Sequence, residues 1–198
     1  MNSFDLSIYH FINQWAGHHP ILDHVMAFTA QYALEIYAFL FIVAWFTLPK
    51  SDEKKRHGLI VMGFSGILAL IFNVIIGHLY FRPRPFVALP QGSFTQLIPH
   101  AVDSSFPSDH TSGSFGFAAG SWRRSERWVR LSFTVLAFFV AFARVYAGVH
   151  WPTDVLASMV IGILSARIVW ALNSWLKPLT RFGLRLFHFG KYAAHTND

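Results

Sequence analysis

Five long apolar runs alternate with short polar or turn-rich segments along the chain. The runs cover residues Ile21–Leu48, Leu59–Tyr80, Ser108–Trp122, Leu131–Val149 and Val155–Leu176. An α-helix rises about 1.5 Å per residue and the hydrocarbon core of a bilayer is about 30 Å thick, so all but the third run are long enough to cross it. The pattern predicts an all-α fold, a polytopic transmembrane bundle of five to six membrane helices.

The third run is too short to cross a bilayer by itself. A helix that starts at Ser108 rises only about 22 Å before the basic residues that follow Trp122. We expect its start to lie below the membrane surface, where irregular backbone is tolerated only if it lines a protein-enclosed or watery cavity. The run therefore predicts a pocket sunk into the membrane. It also carries three glycines that predict close packing of a neighbouring helix: Gly113, Gly116 and Gly120.

The N-terminal segment shows a different pattern. Its apolar residues recur at helical spacing with polar residues between them: Phe4, Ile8, Phe11, Ile12 and Trp15. This pattern predicts an N-terminal amphipathic helix that is too short to span and lies at the membrane interface. No Lys or Arg precedes Lys50, so we expect no cleaved secretory signal, which needs a basic start.

Composition also indicates a membrane protein. Apolar residues make up 54% of the chain and charged residues only 13%, whereas soluble domains carry about 25% charged residues. The absence of cysteine excludes disulfides, thiolate nucleophiles and cysteine metal sites. We interpret residues 1–198 as a single integral-membrane domain. Glu35 lies within the first run, where a carboxylate either faces the bundle with a partner or serves function.

The net charge of +6 comes mainly from three clusters of basic residues. The clusters are Lys50, Lys54, Lys55 and Arg56; Arg123, Arg124, Arg127 and Arg130; and Lys177, Arg181, Arg185 and Lys191. With five membrane helices these clusters fall on one side, which the positive-inside rule identifies as the cytoplasm. We therefore interpret the charge as a topology signal rather than a nucleic-acid surface. Residues 81–110 and His150 then share the opposite, outer side.

Two arginines follow the second run directly, in the segment Phe81-Arg82-Pro83-Arg84-Pro85. The prolines stop the helix and stiffen an extended backbone. A planar guanidinium fork matches the oxygens of a phosphate, although an arginine pair at a membrane edge also serves to reach lipid headgroups. Because this pair lies opposite the basic clusters, we favour phosphate binding by Arg82 and Arg84.

The segment Pro107-Ser108-Asp109-His110 precedes the third run. Ser108 or Asp109 is a natural N-cap, and this role alone explains both residues. The free N–H groups of a helix start also suit an anion. The cap does not explain His110, which is a candidate general acid.

Arg144, His150 and Asp154 lie where the fourth run ends and the fifth begins. Pro152 suits the first turn of a helix, which places Asp154 one turn from His150, within reach of it. A carboxylate fixes the tautomer of an imidazole, whose free nitrogen is then a nucleophile. A buried structural His–Asp pair is the alternative interpretation.

A metal site is a second alternative. The candidate ligands in these segments are His78, His100, Asp103, Asp109, His110, His150 and Asp154. Three nearby arginines would repel a cation and stabilise a phosphoryl group that develops negative charge. We therefore favour a metal-free site.

The sequence resembles the type 2 phosphatidic-acid phosphatase superfamily of membrane phosphatases. The family signature has three parts, Lys-x6-Arg-Pro, Pro-Ser-Gly-His and Arg-x5-His-x3-Asp. Arg144, His150 and Asp154 match the third part in full; the second is matched at residues 107–110 with Asp109 in place of glycine; and the first is matched at Arg84-Pro85. The lysine position of the first part holds Gly77, and Arg82 is the expected substitute. Within the superfamily the sequence is most similar to the bacitracin-resistance (BcrC-type) undecaprenyl-diphosphate phosphatases, because of the segments at 80–87, 97–101 and 105–111.

The resemblance implies a function and a set of roles. His150 would attack the terminal phosphorus, Asp154 would orient it, and His110 would protonate the leaving oxygen. The implied phosphate ligands are Arg84, Arg144, Ser108 and the backbone at Asp109. Arg82 is the expected substitute for the lysine of the first motif. No metal or cofactor is implied. The implied substrate is a C55 isoprenyl diphosphate lipid in the bilayer of a bacterial plasma membrane, cleaved on the extracytoplasmic face.

Two other functions remain open on the sequence. A different lipid, phosphatidate or phosphatidylglycerophosphate, would use the same fold and site. A membrane subunit that exports or sequesters a peptide antibiotic would have no turnover at all. The sequence does not determine the oligomeric state.

Overall fold

The chain is helical almost throughout. The computed structural model describes residues 2–193, and within these residues it contains helices and no strand. The α-helices are α1 (Ser3–Asn13), α2 (Pro20–Thr47), α3 (Glu53–Leu79), α4 (Pro85–Ala88), α5 (Asp109–Ser121), α6 (Arg127–Tyr146), α7 (Pro152–Ala171) and α8 (Lys177–Leu186). The predicted all-α class is confirmed.

Four of the helices, α2, α3, α6 and α7, are long and apolar enough to cross a membrane. The third apolar run forms the remaining predicted membrane helix, α5, which has only 13 residues and rises about 20 Å. The helix begins at Asp109, within one residue of the predicted start, so the prediction of a short helix is also confirmed.

Helix α5 is the centre of the bundle. It packs against α3, α7 and α6, and most of its residues are buried. At Gly116 a Cβ atom would lie 2.8 Å from the Ser65 carbonyl oxygen and 2.9 Å from the Cα atom of Gly66. The glycine therefore allows the backbones of α3 and α5 to approach closely, as the sequence predicts.

The two ends of the bundle differ in chemistry. We call the end where α2, α5 and α7 begin the site end, and the opposite end the basic end. At the basic end Lys55 Nζ lies 2.5 Å from Glu126 Oε1. There too the Lys191 amide donates to Glu53 Oε1 at 2.8 Å. The three basic clusters thus lie at one end, as predicted.

Helix α3 begins earlier than predicted. The sequence pattern places residues 53–56 in a loop, whereas Glu53 starts the helix and the Asp52 side chain caps it by accepting from the Lys55 amide. Arg56 is fully buried, and its guanidinium donates to the carbonyls of Leu48 at 2.8 Å and Pro49 at 2.7 Å. A run of charged residues is therefore not a reliable sign of a loop here. Arg56 satisfies carbonyls that follow the end of α2, and Asp52 satisfies an amide at the start of α3.

Helix α6 ends at Tyr146, three residues before the predicted Val149. Gly148 has φ +80°, a left-handed conformation that ends the helix. A Cβ atom there would lie 2.3 Å from the Thr95 carbonyl oxygen, so the glycine also allows the segment around Thr95 to pack on this turn. The turn carries His150.

Helix α1 is confirmed, but its orientation differs from that of a simple amphipathic helix. Its polar residues Asp5 and Asn13 are buried, whereas Phe4 and Phe11 are 48% and 69% exposed. Asn13 Nδ2 donates to the carbonyls of Thr95 and Tyr146, each at 2.8 Å. Hydrogen bonds of buried polar groups thus fix the helix to the site end, with Tyr9 buried beside them and Phe11 left outward.

Helix α2 is interrupted near its middle. Tyr32 has non-helical dihedral angles, φ −109° and ψ 22°. Beside this break the Ala30 carbonyl accepts from Arg144 at 2.7 Å, and the Gln31 carbonyl lies 3.4 Å from His110 Nε2. Glu35 is exposed and has no ionic partner among residues 2–193, which contradicts the first of its two alternatives, a carboxylate that faces the bundle with a partner.

We predict that Gly116→Ala destabilises the protein because the new methyl group meets backbone atoms that cannot move independently. Overpacking of this kind costs about 1–3 kcal/mol, a fall of roughly 2–10 °C in melting temperature for a chain of this size. The matched control is Gly77→Ala in α3, where the nearest atom to a Cβ lies 3.9 Å away. Equal melting temperatures for the two purified variants would contradict the close helix contact.

Candidate active site

His150 lies at the site end between α6 and α7, and two arginines converge on its outer nitrogen. Arg144 Nη2 lies 3.1 Å from His150 Nε2 and Arg84 Nη1 lies 3.3 Å from it. A guanidinium only donates hydrogen bonds. The Nε2 atom is therefore the acceptor and carries a lone pair.

The other ring nitrogen is held by the backbone. His150 Nδ1 lies 2.7 Å from the Ser105 carbonyl oxygen, which can only accept. The proton is therefore on Nδ1, and this hydrogen bond fixes both the tautomer and the ring orientation. The free lone pair on Nε2 points at the arginines, the geometry of an activated nucleophile beside an anion site.

Burial keeps this imidazole neutral. Burial lowers the pKa of His150 well below its ordinary value, and the positive charges of Arg144 and Arg84 lower it further. A neutral imidazole is the nucleophilic form, so the site holds His150 ready at neutral pH.

Both arginines are buried, at 2% and 4% exposure for Arg144 and Arg84. Arg144 donates to the Ala30 carbonyl at 2.7 Å, and its Nε atom has no acceptor among the described residues. Arg84 donates from Nε to Asp103 Oδ1 at 2.7 Å and from Nη1 to the Val149 carbonyl at 2.8 Å. An unpaired buried donor needs an explanation, and a bound anion would provide one.

Asp154 is close to His150 but does not hold it as predicted. Its Oδ2 atom is 3.7 Å from His150 Nδ1 and accepts from the Trp151 amide at 2.9 Å. The expected direct hydrogen bond is therefore replaced by the one from Ser105, because Asp154 caps the start of α7. The carboxylate still places a negative charge next to the ring, which favours positive charge on the imidazole.

The structure places Arg82 elsewhere than predicted. Its guanidinium contacts the carboxylates of Asp5 and Asp154, and also Thr153 Oγ1 at 2.8 Å. Both branches of the fork contact carboxylates, an arrangement that does not favour the expected role of Arg82 as the phosphate ligand that replaces a lysine; that role stays a prediction. Gly77, at the lysine position, has no side chain to contribute.

Ser108 and Asp109 form the start of α5. The Ser108 hydroxyl accepts from the Thr111 amide at 3.4 Å, and the Ser108 amide donates to Ser158 Oγ at 2.7 Å. The cap interpretation thus accounts for the acceptor role of the Ser108 hydroxyl, whereas the amide is engaged by Ser158. The role of Ser108 as a phosphate ligand stays a prediction. Asp109 is exposed and accepts from Asn73 Nδ2 at 2.9 Å.

Two further histidines border the site. His110 is half-buried, with Nε2 3.4 Å from the Gln31 carbonyl. The His100 ring lies edge-on to the His150 ring, with the centroids 6.3 Å apart. Sequence analysis gives His100 no role except that of a candidate metal ligand, although it lies in the segment 97–101 that carries part of the family resemblance. That segment is the signal that points to the site.

His78, the other polar neighbour of the missing lysine, is exposed and bonds only to the Val74 carbonyl of its own helix, at 2.7 Å. Among residues 2–193 no three His, Asp or Glu side chains are close enough together to hold a metal ion. The polar centre of the site is instead built from one imidazole and two guanidinium groups.

Comparison with known proteins gives a consistent result. The profile of the PAP2 superfamily matches residues 58–178. The undecaprenyl-diphosphatase BcrC of Bacillus subtilis (strain 168) is 32% identical over 180 residues, which are 91% of this chain and 90% of that protein.

The chain belongs to the PAP2 superfamily.

Two other similarities are informative. A protein from Bacillus licheniformis named bacitracin transport permease protein BcrC is 33% identical over 183 residues, 91% of this chain and 84% of that protein. The crystal structure of Aquifex aeolicus LpxE has the same fold, with a TM-score of 0.69 and 24% identity, and the alignment covers 86% of this chain and 96% of that one. The protein is thus a multi-pass membrane phosphatase of the PAP2 superfamily.

The three parts of the PAP2 signature meet at one end of the bundle. Arg84 comes from the first part, the start of α5 from the second, and Arg144 and His150 from the third. Residues separated by 60 and more positions are thus in hydrogen-bond contact, as in the Arg84–His150 pair. The convergence that the sequence motifs predict is present in the fold.

We predict that Arg144→Lys lowers the kcat/KM of this PAP2 phosphatase about 100-fold, the usual effect of removing one donor to a transition-state oxyanion. A lysine supplies one ammonium group, which cannot hold the Ala30 carbonyl and reach a phosphate as a fork does. The matched control is Arg127→Lys at the basic end, where turnover should stay at the wild-type level. Near-normal kcat/KM in Arg144→Lys would contradict the phosphate-clamp role.

Proposed function

We propose that the protein is an undecaprenyl-diphosphate phosphatase. It would hydrolyse a C55 isoprenyl diphosphate to the monophosphate carrier and phosphate, within a single phosphatase domain formed by residues 1–198. The main support is the pair of buried guanidinium groups on the lone pair of His150. The second support is the 32% identity to the B. subtilis undecaprenyl-diphosphatase over nine-tenths of both chains.

In this proposal His150 is the nucleophile. The terminal phosphoryl group enters between Nε2 and the two arginines, and its oxygens take over their donors. Nε2 bonds to phosphorus as the bond from phosphorus to the bridging oxygen breaks. His110 donates a proton to that oxygen, and the lipid monophosphate leaves.

A water molecule completes the reaction. His110, now without its proton, takes one from the water, whose oxygen attacks the phosphorus of the phospho-histidine. The N–P bond breaks, phosphate leaves, and His150 regains its lone pair. During this cycle the imidazole ring carries positive charge, which the Ser105 carbonyl and the Asp154 carboxylate stabilise.

The surface of the bundle supports a lipid substrate. A groove of 370 Å³ runs between α2 and α3 and is lined by apolar side chains, including Leu34, Phe41 and Ile67. Leu34 is one turn along α2 from Gln31, whose carbonyl lies against His110. An isoprenyl chain in this groove would have its diphosphate at the site while the tail remains in the bilayer.

Charge placement supports an extracytoplasmic site. The basic clusters lie at the end of the bundle opposite His150, and basic residues concentrate on the cytoplasmic side of membrane proteins. A site that faces outward would act on lipid diphosphate released during cell-wall synthesis. Bacitracin resistance would follow if the phosphatase removes the diphosphate lipid on which that antibiotic depends.

The name of the B. licheniformis relative favours a second candidate function, export or sequestration of a peptide antibiotic without turnover. Phosphatidate and phosphatidylglycerophosphate phosphatases are further candidates, because the same arginines would hold a monoester. The substrate assay below separates these functions.

We predict that the purified protein hydrolyses undecaprenyl diphosphate at least about tenfold more efficiently than phosphatidate or phosphatidylglycerophosphate, a discrimination that a few kcal/mol of headgroup contacts provides. His150→Ala should lower kcat by about 10³-fold or more, since the nucleophile is gone. Undiminished turnover in EDTA is expected.

Three results would contradict this proposal. A tenfold preference for phosphatidate over undecaprenyl diphosphate would show that phosphatidate, and not the isoprenyl diphosphate, is the substrate. A strict divalent-metal requirement would favour the metal-ligand interpretation. Full antibiotic protection by His150→Ala in cells would favour the function without turnover.

The orientation has its own test, because the chain has no cysteine of its own. Val102→Cys places a thiol at the site end, where the native side chain is 74% exposed, and Ser51→Cys places one at the basic end. We predict that a membrane-impermeant maleimide labels Cys at position 102 in intact cells and labels position 51 only after lysis. Labelling at position 51 alone in intact cells would reverse the topology.

A further inference from the structure

The buried carboxylate of Asp5 takes no direct part in the proposed transfer of the phosphoryl group. It lies in the first turn of α1 and is fully buried. Its Oδ2 atom is 2.5 Å from Arg82 Nη2, and its Oδ1 atom accepts from the Thr153 amide at 2.9 Å. Thr153 Oγ1 also donates to it, at 2.8 Å from Oδ2.

Arg82 connects this carboxylate to the site. One branch of its guanidinium contacts Asp5 and the other contacts Asp154 Oδ1. The side chain of Arg82 is 15% exposed, whereas both carboxylates are fully buried. Two negative charges thus share one positive charge, and the excess negative charge lies beside His150.

We propose that Asp5 and Arg82 are positioning residues that act on His150 through Asp154. Arg82 fixes Asp154 Oδ1, which turns Oδ2 toward His150 Nδ1 at 3.7 Å. Asp5 takes part of the charge of Arg82, so that Asp154 keeps more of its own negative charge for the imidazole. This inference rests on the proposed role of His150 as the nucleophile.

The packing of α1 supports the same conclusion. The Tyr9 ring lies 5.2 Å from the ring of Trp151, the residue that precedes α7. The Trp151 indole N–H donates to the Pro83 carbonyl at 2.9 Å, next to Arg82. Helix α1 therefore contacts both the segment that carries Arg82 and the start of α7, which carries Asp154. These contacts hold the two residues at a fixed distance from each other.

A neutral isostere at position 5 tests the electrostatic part. In Asp5→Asn the charge of Arg82 falls wholly on Asp154, so less negative charge remains to stabilise a positively charged imidazole. We expect kcat to fall roughly tenfold, because a weaker negative charge at Asp154 would lower the pKa of the His150 ring by about one unit. KM should change less than about twofold, because substrate contacts are intact. The matched control, Glu126→Gln at the basic end, should keep wild-type kcat.

A double-mutant cycle tests whether Asp5 acts through Asp154. Asp154→Asn alone should lower kcat strongly, and adding Asp5→Asn to it should cause no further loss, because the relay is already broken. Arg82→Lys provides a second route: the ammonium keeps the charge but cannot serve two carboxylates as a fork does, so an intermediate loss in kcat is expected.

The outcomes separate positioning from structure. Additive losses in the cycle, an unchanged kcat in Asp5→Asn, or loss of folded protein in both single variants would overturn the positioning role. The cycle is measured on whichever lipid phosphate the wild type hydrolyses best. If the wild-type protein does not hydrolyse undecaprenyl diphosphate, the proposed substrate is refuted, but the role of Asp5 is still decided by the cycle on another lipid phosphate.

Discussion

The burial of two guanidinium groups beside one imidazole is the constraint on which the rest of this structure depends. Taking a charge out of water costs several kcal/mol unless hydrogen bonds and opposite charge compensate for it. Arg84 and Arg144 obtain this compensation from backbone carbonyls, from Asp103 and from the lone pair of His150. The turn between α6 and α7, the segment between α3 and α5 and the break in α2 provide these carbonyls, which belong to Val149, Ser104 and Ala30. A phosphoryl group would supply negative charge where the structure now uses an imidazole.

Much of this arrangement could be predicted from the sequence. The lengths of the apolar runs give the number of membrane helices and the short α5, because the thickness of the bilayer sets a fixed length. The grouping of basic residues places the motifs at one end. The spacing of Arg144, His150 and Asp154 brings them together because a turn and a helix start are local structures.

The parts that could not be predicted are long-range and depend on the backbone. No pattern shows that the Ser105 carbonyl, rather than Asp154, accepts from His150 Nδ1. The same is true of Asp5, which lies 77 positions from its partner Arg82 and looks like an ordinary polar residue of an amphipathic helix. Once Asp5 is buried, Arg82 becomes its counter-ion, and the arginine that sequence similarity offers as a phosphate ligand serves two carboxylates instead.

Nucleophilic attack by His150 is tested most directly by determining whether its side chain is phosphorylated during turnover. Rapid quenching of the enzyme with a diphosphate lipid that carries ³²P in its terminal group should capture phosphorus on a peptide containing His150. The label should be stable in alkali and lost in acid, as expected of an N–P bond, and absent from His150→Ala. Turnover at the full rate with no protein-bound label, or label on another residue, would contradict nucleophilic attack by His150.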